Sequence, residues 1–267
     1  MNQQAPSLRP WVLAETNYGL LRDRRVEVAV WPFGAVEPHN LHLPYGTDCL
    51  EAQIIGEKIC ERAYQQGAAV LLLPVMPFGT ETNLQAFPFA LNVSPSTLLA
   101  VIRDVVESLE RSGVRKLLLL NSHGGNDLKP VLRELYGRTS VWIFLCNWYQ
   151  AVRQEASSLF EHPDDHAGEM ETSFALAFFP HLIARDVSGK LLADDGKTAR
   201  FRFRALEDGW VTITRPWHLL TTQSGAGNPH CATAEKGQAL MRILVERLSE
   251  FLIELAQSPL DERFPFV

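Results

Sequence analysis

Short apolar runs alternate along this chain with longer stretches whose apolar positions recur at helical spacing. Val28–Trp31 reads as the end of a buried strand. In Ala52–Tyr64 the side chains of Ile54, Ile55, Ile59 and Ala63 share one face of a helix. Ala68–Leu73 reads as a second buried strand, closed by Pro74. Ser94-Pro-Ser-Thr97 supplies a helix start, and Leu98–Leu109 carries the amphipathic repeat that follows it. Lys116–Leu120 is a third strand, whose consecutive leucines require cover on both faces. Asn126–Leu135 reads as a helix, Val141–Cys146 as a fourth strand, Gly168–Phe178 as a helix and Cys231–Leu255 as a long closing helix. Strands separated by helices predict βαβ units. The expected fold class is α/β, a three-layer α/β/α arrangement with a mostly parallel sheet.

Residues 188–214 break this pattern with Gly189, Gly196, Gly209 and the alternating run Arg200-Phe-Arg-Phe-Arg204. They read as an irregular insertion with one or two short strands. The Arg/Phe run reads as a half-buried edge strand guarded by charge rather than a surface for a polyanion. No repeat, low-complexity tract or linker interrupts the remainder, so residues 1–267 are expected to form a single domain.

Composition narrows the function classes. At 46% hydrophobic and 21% charged residues, the chain resembles an ordinary soluble globular protein. A net charge of −6 lacks the basic excess of a nucleic-acid binder, so no nucleic-acid partner is expected. No apolar stretch is long enough for a membrane span, so no membrane association is expected. Met1-Asn-Gln-Gln-Ala-Pro6 shows no basic segment ahead of an apolar run, which argues against a secretory signal. Cys49, Cys60, Cys146 and Cys231 are scattered without a CxxC pair and read as reduced thiols of a cytoplasmic protein.

Three motifs carry candidate chemistry. The first runs from Glu37-Pro-His39 through His42 to Asp48, with the turn formers Pro38, Pro44 and Gly46 between. Carboxylate and imidazole donors gathered this way suit a divalent ion of the zinc, manganese or iron type. A polar loop would carry the same residues without an ion. The second motif, Asn121-Ser-His-Gly-Gly-Asn126, leaves the third strand and enters a helix through two glycines. Both motifs then lie beyond the carboxyl ends of parallel strands, where open α/β sheets bind ligands. The third is Asp164-Asp-His-Ala-Gly-Glu-Met-Glu-Thr-Ser173, with carboxylates in the first turns of a helix. Glu171 precedes an apolar face and needs a partner there, and a metal is one.

Together these motifs resemble the creatininase (creatinine amidohydrolase) family of metal-dependent hydrolases. The family's Glu-x-His-x-x-His-Leu-Pro-x-x-Thr-Asp is matched from Glu37 to Asp48. Its Asn-Gly-His-Gly-Gly-Asn is matched from Asn121 to Asn126 with Ser122 in place of glycine, and its His-Ala-Gly-Glu-x-Glu-Thr-Ser from His166 to Ser173. Ser224–Pro229 and Ala232–Gly237 resemble its closing motif. The resemblance implies a creatininase-like α/β domain with one or two divalent ions, zinc first and manganese or iron as alternatives. It places Glu37, Asp48 and His123 on one ion, with Asp48 bridging, and His39 on the other.

True creatininases complete the second ion with a carboxylate two residues after the motif histidine, where this chain has Gly125. Glu171 is the expected substitute. Gly124 replaces an aromatic that would face substrate, and residues 79–90 lack the histidine and Pro-Gly-Thr of many members. Creatinine is therefore a poor match, and Thr80, Gly124 and Trp148 are the expected substrate-facing positions. By this reading His166, oriented by Asp165 or Asp164, protonates the leaving nitrogen, and Glu169 is a candidate base. His42 reads as a histidine supporting the site from behind.

The expected activity is hydrolysis of a C–N bond, other than a peptide bond, in a small linear or cyclic amide by activated water. Opening of a carbocyclic or lactone ring, or ligand binding without turnover, are the alternatives. The expected partners are a small-molecule substrate and further copies of the chain, since the resemblance implies a homo-oligomer, often a hexamer.

Overall fold

The computed structural model describes residues 8–162 and 164–267, the side chain of Asp164 excepted. The N-terminal segment read for a secretory signal, Met1 to Pro6, lies outside the described residues.

Four parallel strands form the central sheet: β1 (Val28–Phe33), β2 (Val70–Leu72), β3 (Lys116–Asn121) and β4 (Trp142–Asn147). Their spatial order is β2-β1-β3-β4. Alternate side chains feed two cores, as the twofold period of a strand requires. Val28, Val30, Leu118 and Leu120 enter one core with α1 (Thr47–Gln65), α4 (Glu169–Phe178) and α5 (Ala234–Gln257). Ala29, Trp31, Phe33, Leu117 and Leu119 enter the other with α2 (Pro95–Arg111) and α3 (Lys129–Leu135). The expected three layers are present.

β1 runs through Pro32, a residue that cannot donate to a ladder. The carbonyls of Val30 and Pro32 accept from Leu73 and Met76, so the missing amide faces the β2 side. β2 has already ended there, and no ladder bond is lost. Helix α1 begins at Thr47, well before the Ala52 that periodicity predicts, and so takes in Asp48. Helix α3 starts at Lys129 rather than Asn126. The Asn126 side chain is spent on the amide of Thr80 (3.0 Å), the carbonyl of Gly34 (3.3 Å) and Asn121 (3.1 Å). An additional antiparallel pair, β5 (Asp164–His166) and β6 (Ala226–Gly227), sets His166 opposite Ala226.

The strands expected in residues 188–214 are not found among the described residues. Arg200–Arg204 is not an edge strand. Glu207, in the helical turn Arg204–Glu207, takes the amide of Phe201 (3.0 Å) and the guanidinium of Arg200 (3.3 Å), which folds the run back on itself.

Helices α4 and α5 approach closely at Gly237, where an added Cβ would lie 2.1 Å from the carbonyl oxygen of Ser173. In most helix interiors Gly→Ala stabilises by about 1 kcal/mol. Here Gly237→Ala should instead destabilise by about 1–3 kcal/mol through overpacking. A raised melting temperature would show that the helices are not held this tightly.

Candidate metal centre

The order β2-β1-β3-β4 places a switch point between β1 and β3, because the chain leaves β1 toward β2 and returns on the other side. Ligands in open α/β sheets bind at such points, beyond the carboxyl ends of the strands. Glu37 and His39 follow β1, His123 follows β3 and Trp148 follows β4, while Asp48 sits in the first turn of α1. A helix N-terminus favours that carboxylate.

These side chains converge. His123 Nδ1 lies 3.0 Å from Glu37 Oε1 and 3.1 Å from Asp48 Oδ2. His39 Nε2 lies 3.2 Å from Asp48 Oδ1, while His39 Nδ1 donates to the carbonyl of Glu37 (3.0 Å). Two donor sets share one residue: Glu37, Asp48 and His123 form one, and His39, Asp48 and Glu171 the other, each with ligand atoms within 4.8 Å of one another. Glu171 also accepts the amide of Ala167. Glu37, His39, Asp48 and His123 are all buried.

The electrostatics fit a divalent cation. Burial raises the Glu37 carboxyl well above the usual range, an effect partly offset by His123. Burial would also raise Asp48, but His39 and His123 outweigh it and hold Asp48 well below that range. Burial opposes charge on His39 and His123, yet the facing carboxylates raise both imidazoles well above their ordinary value. Glu37 Oε2 is buried with no hydrogen-bond partner, and Asp48 Oδ2, also buried, faces the His123 imidazole at 3.1 Å. Unpaired carboxylate oxygens that attract protons onto buried imidazoles would attract a metal ion in their place. Separations of about 3 Å between donors match ligands that each sit about 2 Å from a common ion.

The surrounding cavity measures about 610 Å³ and is lined by Thr80, Gly124, Trp148, His166, Arg215 and Trp217 among others. His166 Nε2 donates to the carbonyl of Pro38 (2.9 Å), and its Nδ1 lies 3.7 Å from Glu37 Oε1. Burial and the neighbouring His39 push this imidazole down to about 3, so it is neutral with Nδ1 as an acceptor. Trp148 is buried and donates to Ser122 Oγ (2.8 Å), which donates to Glu51 (2.9 Å). The Thr80 hydroxyl turns away to the carbonyl of Val93 (3.2 Å), leaving its backbone toward the site.

Two sequence readings are corrected. Glu169 does not line the cavity. Its Oε2 accepts the amides of Glu161 (2.8 Å) and His162 (3.0 Å), and its Oε1 pairs with Lys236 (2.5 Å), so it is a structural clamp and not a base. Asp165 does not orient His166. It pairs with Arg215 (2.7 Å), whose guanidinium stacks 4.6 Å over Trp217. The side chain of Asp164 lies outside the described residues. Sequence reasoning missed Glu81, a fully buried carboxylate 2.9 Å from His123 Nε2, and the Trp217–Arg215 wall. The closing motif braces the first: Ser224 Oγ accepts the amide of Asn40 (2.9 Å), which adopts a left-handed φ of 56°.

This sheet, with imidazole and carboxylate donors at its carboxyl edge, is the architecture of an α/β enzyme built around a metal site. Residues 15–252 match the Creatininase family model, described as creatinine amidohydrolase. The chain belongs to the creatininase family, whose members are metal-dependent hydrolases. Creatinine amidohydrolase of Pseudomonas putida is 26% identical over 179 residues, 60% of this chain and 67% of the relative. The 3-dehydro-scyllo-inosose hydrolase of Thermotoga maritima is 23% identical over 260 residues, 91% of this chain and 81% of the relative. Among solved structures, a Bacteroides fragilis protein provisionally named creatinine amidohydrolase aligns with a TM-score of 0.83 at 35% identity, covering 94% of this chain and 98% of its own. A manganese creatininase aligns at 0.75 and 21% identity, covering 93% and 99%. A zinc–zinc creatininase variant does so at 0.75 and 21%, covering 92% and 98%. At that identity the last two speak to fold alone. Among the described residues, no helix is long and apolar enough to cross a membrane.

His42 stands behind the site, its Nε2 2.8 Å from Thr172 Oγ1. Burial lowers its pKa from 6.5 to about 4. Between those values the unfolded chain binds a proton that the folded chain refuses. The His42 contribution to stability is therefore present above pH 6.5 and lost as pH falls through 4. His42→Gln should flatten the decline of melting temperature across this window, and identical slopes for the two proteins would exclude His42 as its source.

Proposed function

We propose that this protein is a hydrolase using two divalent ions to cleave a C–N bond in a small linear or cyclic amide. Glu37, Asp48 and His123 hold one ion, and His39, Asp48 and Glu171 hold the other. The observation that carries this reading is Asp48, whose two oxygens face separate histidines, Oδ1 toward His39 and Oδ2 toward His123. Zinc and manganese are the ions of choice, given the mixed nitrogen and oxygen donors. When bound, such a pair supplies an acidified water and polarises the substrate carbonyl.

His166 acts as the proton shuttle. Its Nε2–H is committed to the Pro38 carbonyl, so Nδ1 is free to accept the proton of the attacking water. The protonated ring then returns that proton to the leaving nitrogen. Trp217 packs edge-on against His166 at 5.7 Å and limits its rotation. Thr80, Gly124 and Trp148 line the substrate space. Gly124 leaves open volume, with nothing within 4 Å of an added Cβ, so the aromatic that a creatininase would place at this position is absent.

A second reading, ring opening of a sugar-derived cyclic ketone by the same attack, is favoured by the long match to the inosose hydrolase. A turnover screen of lactams, formamides and cyclic ketones separates the two, and creatinine should be turned over poorly if at all. Purified chain that holds only traces of metal, and takes up none on titration, would end the hydrolase reading. His123→Ala should lose both metal, by elemental analysis, and activity. His166→Ala should keep its metal and lose about 10²–10⁴-fold in turnover. Release of metal from His166→Ala would make His166 a ligand rather than a shuttle.

A further inference from the structure

Glu81 is fully buried, and neither of its carboxylate oxygens makes a hydrogen bond. Oε1 lies 2.9 Å from His123 Nε2. The backbone that carries it is fixed on both sides. The Thr80 amide donates to Asn126 Oδ1 (3.0 Å), and the Glu81 amide to Asn92 Oδ1 (2.8 Å). The Thr80 carbonyl also faces His123 Nε2, at 3.2 Å. The two ring nitrogens of His123 are thus divided. Nε2 meets a carbonyl and a carboxylate, and Nδ1 meets Glu37 and Asp48.

Gly125 belongs to the same arrangement. A Cβ there would lie 2.3 Å from His123 Nε2 and 2.5 Å from the Thr80 carbonyl. No side chain, and so no carboxylate, fits at position 125 while segment 80–81 closes on the histidine. We propose that Glu81 is a positioning residue for His123: beside the Thr80 carbonyl that takes the Nε2–H, its carboxylate favours the proton on Nε2 and so leaves Nδ1 as the donor facing Glu37 and Asp48, and Gly125 is the vacancy that lets it approach. The negative charge behind the ring makes Nδ1 a stronger donor, as carboxylates behind metal-bound histidines do.

This inference rests on the reading that His123 holds an ion, and metal binding tests it without turnover. Metal-stripped protein is titrated with Mn²⁺ and separately with Zn²⁺ by calorimetry, and the melting temperature of the stripped protein is measured alongside. Glu81→Gln should bind about 10–100-fold more weakly. Its metal-free melting temperature should hold or rise, because a buried carboxyl group without a hydrogen bond is gone. A purely structural Glu81 would give the reverse, a lower metal-free melting temperature with affinity unchanged, and that result overturns the proposal. Glu81→Asp, which keeps the charge but withdraws it by one methylene, should also weaken binding and serves if Glu81→Gln does not fold. Wild-type affinity in Glu81→Asp would likewise refute the contact. Should the wild-type chain bind neither ion, the metal-site reading falls and this inference with it, whereas wild-type binding with undiminished variants defeats this inference alone.

Discussion

Carboxyl groups crowded out of water are the constraint around which this molecule is built. Glu37, Asp48, Glu51 and Glu81 are all buried within one end of the sheet, with two imidazoles between them. In a low-dielectric interior such a set is unstable unless protons or cations balance it. Protons supply part of that balance: burial raises Glu37 and Glu51 well above the usual carboxylate range, and the facing carboxylates raise His39 and His123. The rest of the structure holds these groups close together against their repulsion. The sheet fixes the ends of β1 and β3 side by side, and the close α4–α5 packing sets the helix that carries Glu171.

Much of the fold was legible because its strands are simple. Leu117–Leu120 leaves little choice but a strand covered on both faces, and β1 and β3 are indeed buried throughout. Helix starts were harder to read. Gly46 precedes α1 without a capping side chain, so nothing in the sequence announced that Asp48 would stand on a helix. The alternating arginines near residue 200 were read as a strand because alternation is a local signal. The ion pairs with Glu207 and Asp208 that bend the run are also local, but they are not periodic.

The site was legible where donors are grouped in sequence, and it misled where neighbours in sequence point apart. Glu169 and Glu171 are two residues apart on a helix, about 200° around its axis. One faces Lys236 and the other faces His39 and Asp48. Asp165 and His166 are consecutive on a strand and so face opposite sides, one toward Arg215 and one toward Glu37. Glu81 had a signal of another kind. It is the sole charged residue between Arg62 and Arg103. A lone charge in such surroundings is either exposed or engaged, and sequence alone cannot say which.

The hydrogen bond from the Asn40 amide to Ser224 spans 184 residues of chain. At ordinary rates of synthesis that separation is roughly 10–40 s of elongation. During that interval the segment bearing Glu37, His39 and Asp48 has left the ribosome, while the strand pair and hydroxyl that brace it do not yet exist. The cluster is therefore among the last parts of the molecule to close. A site completed by Glu171 and braced by Ser224 cannot be assembled before most of the chain has been made.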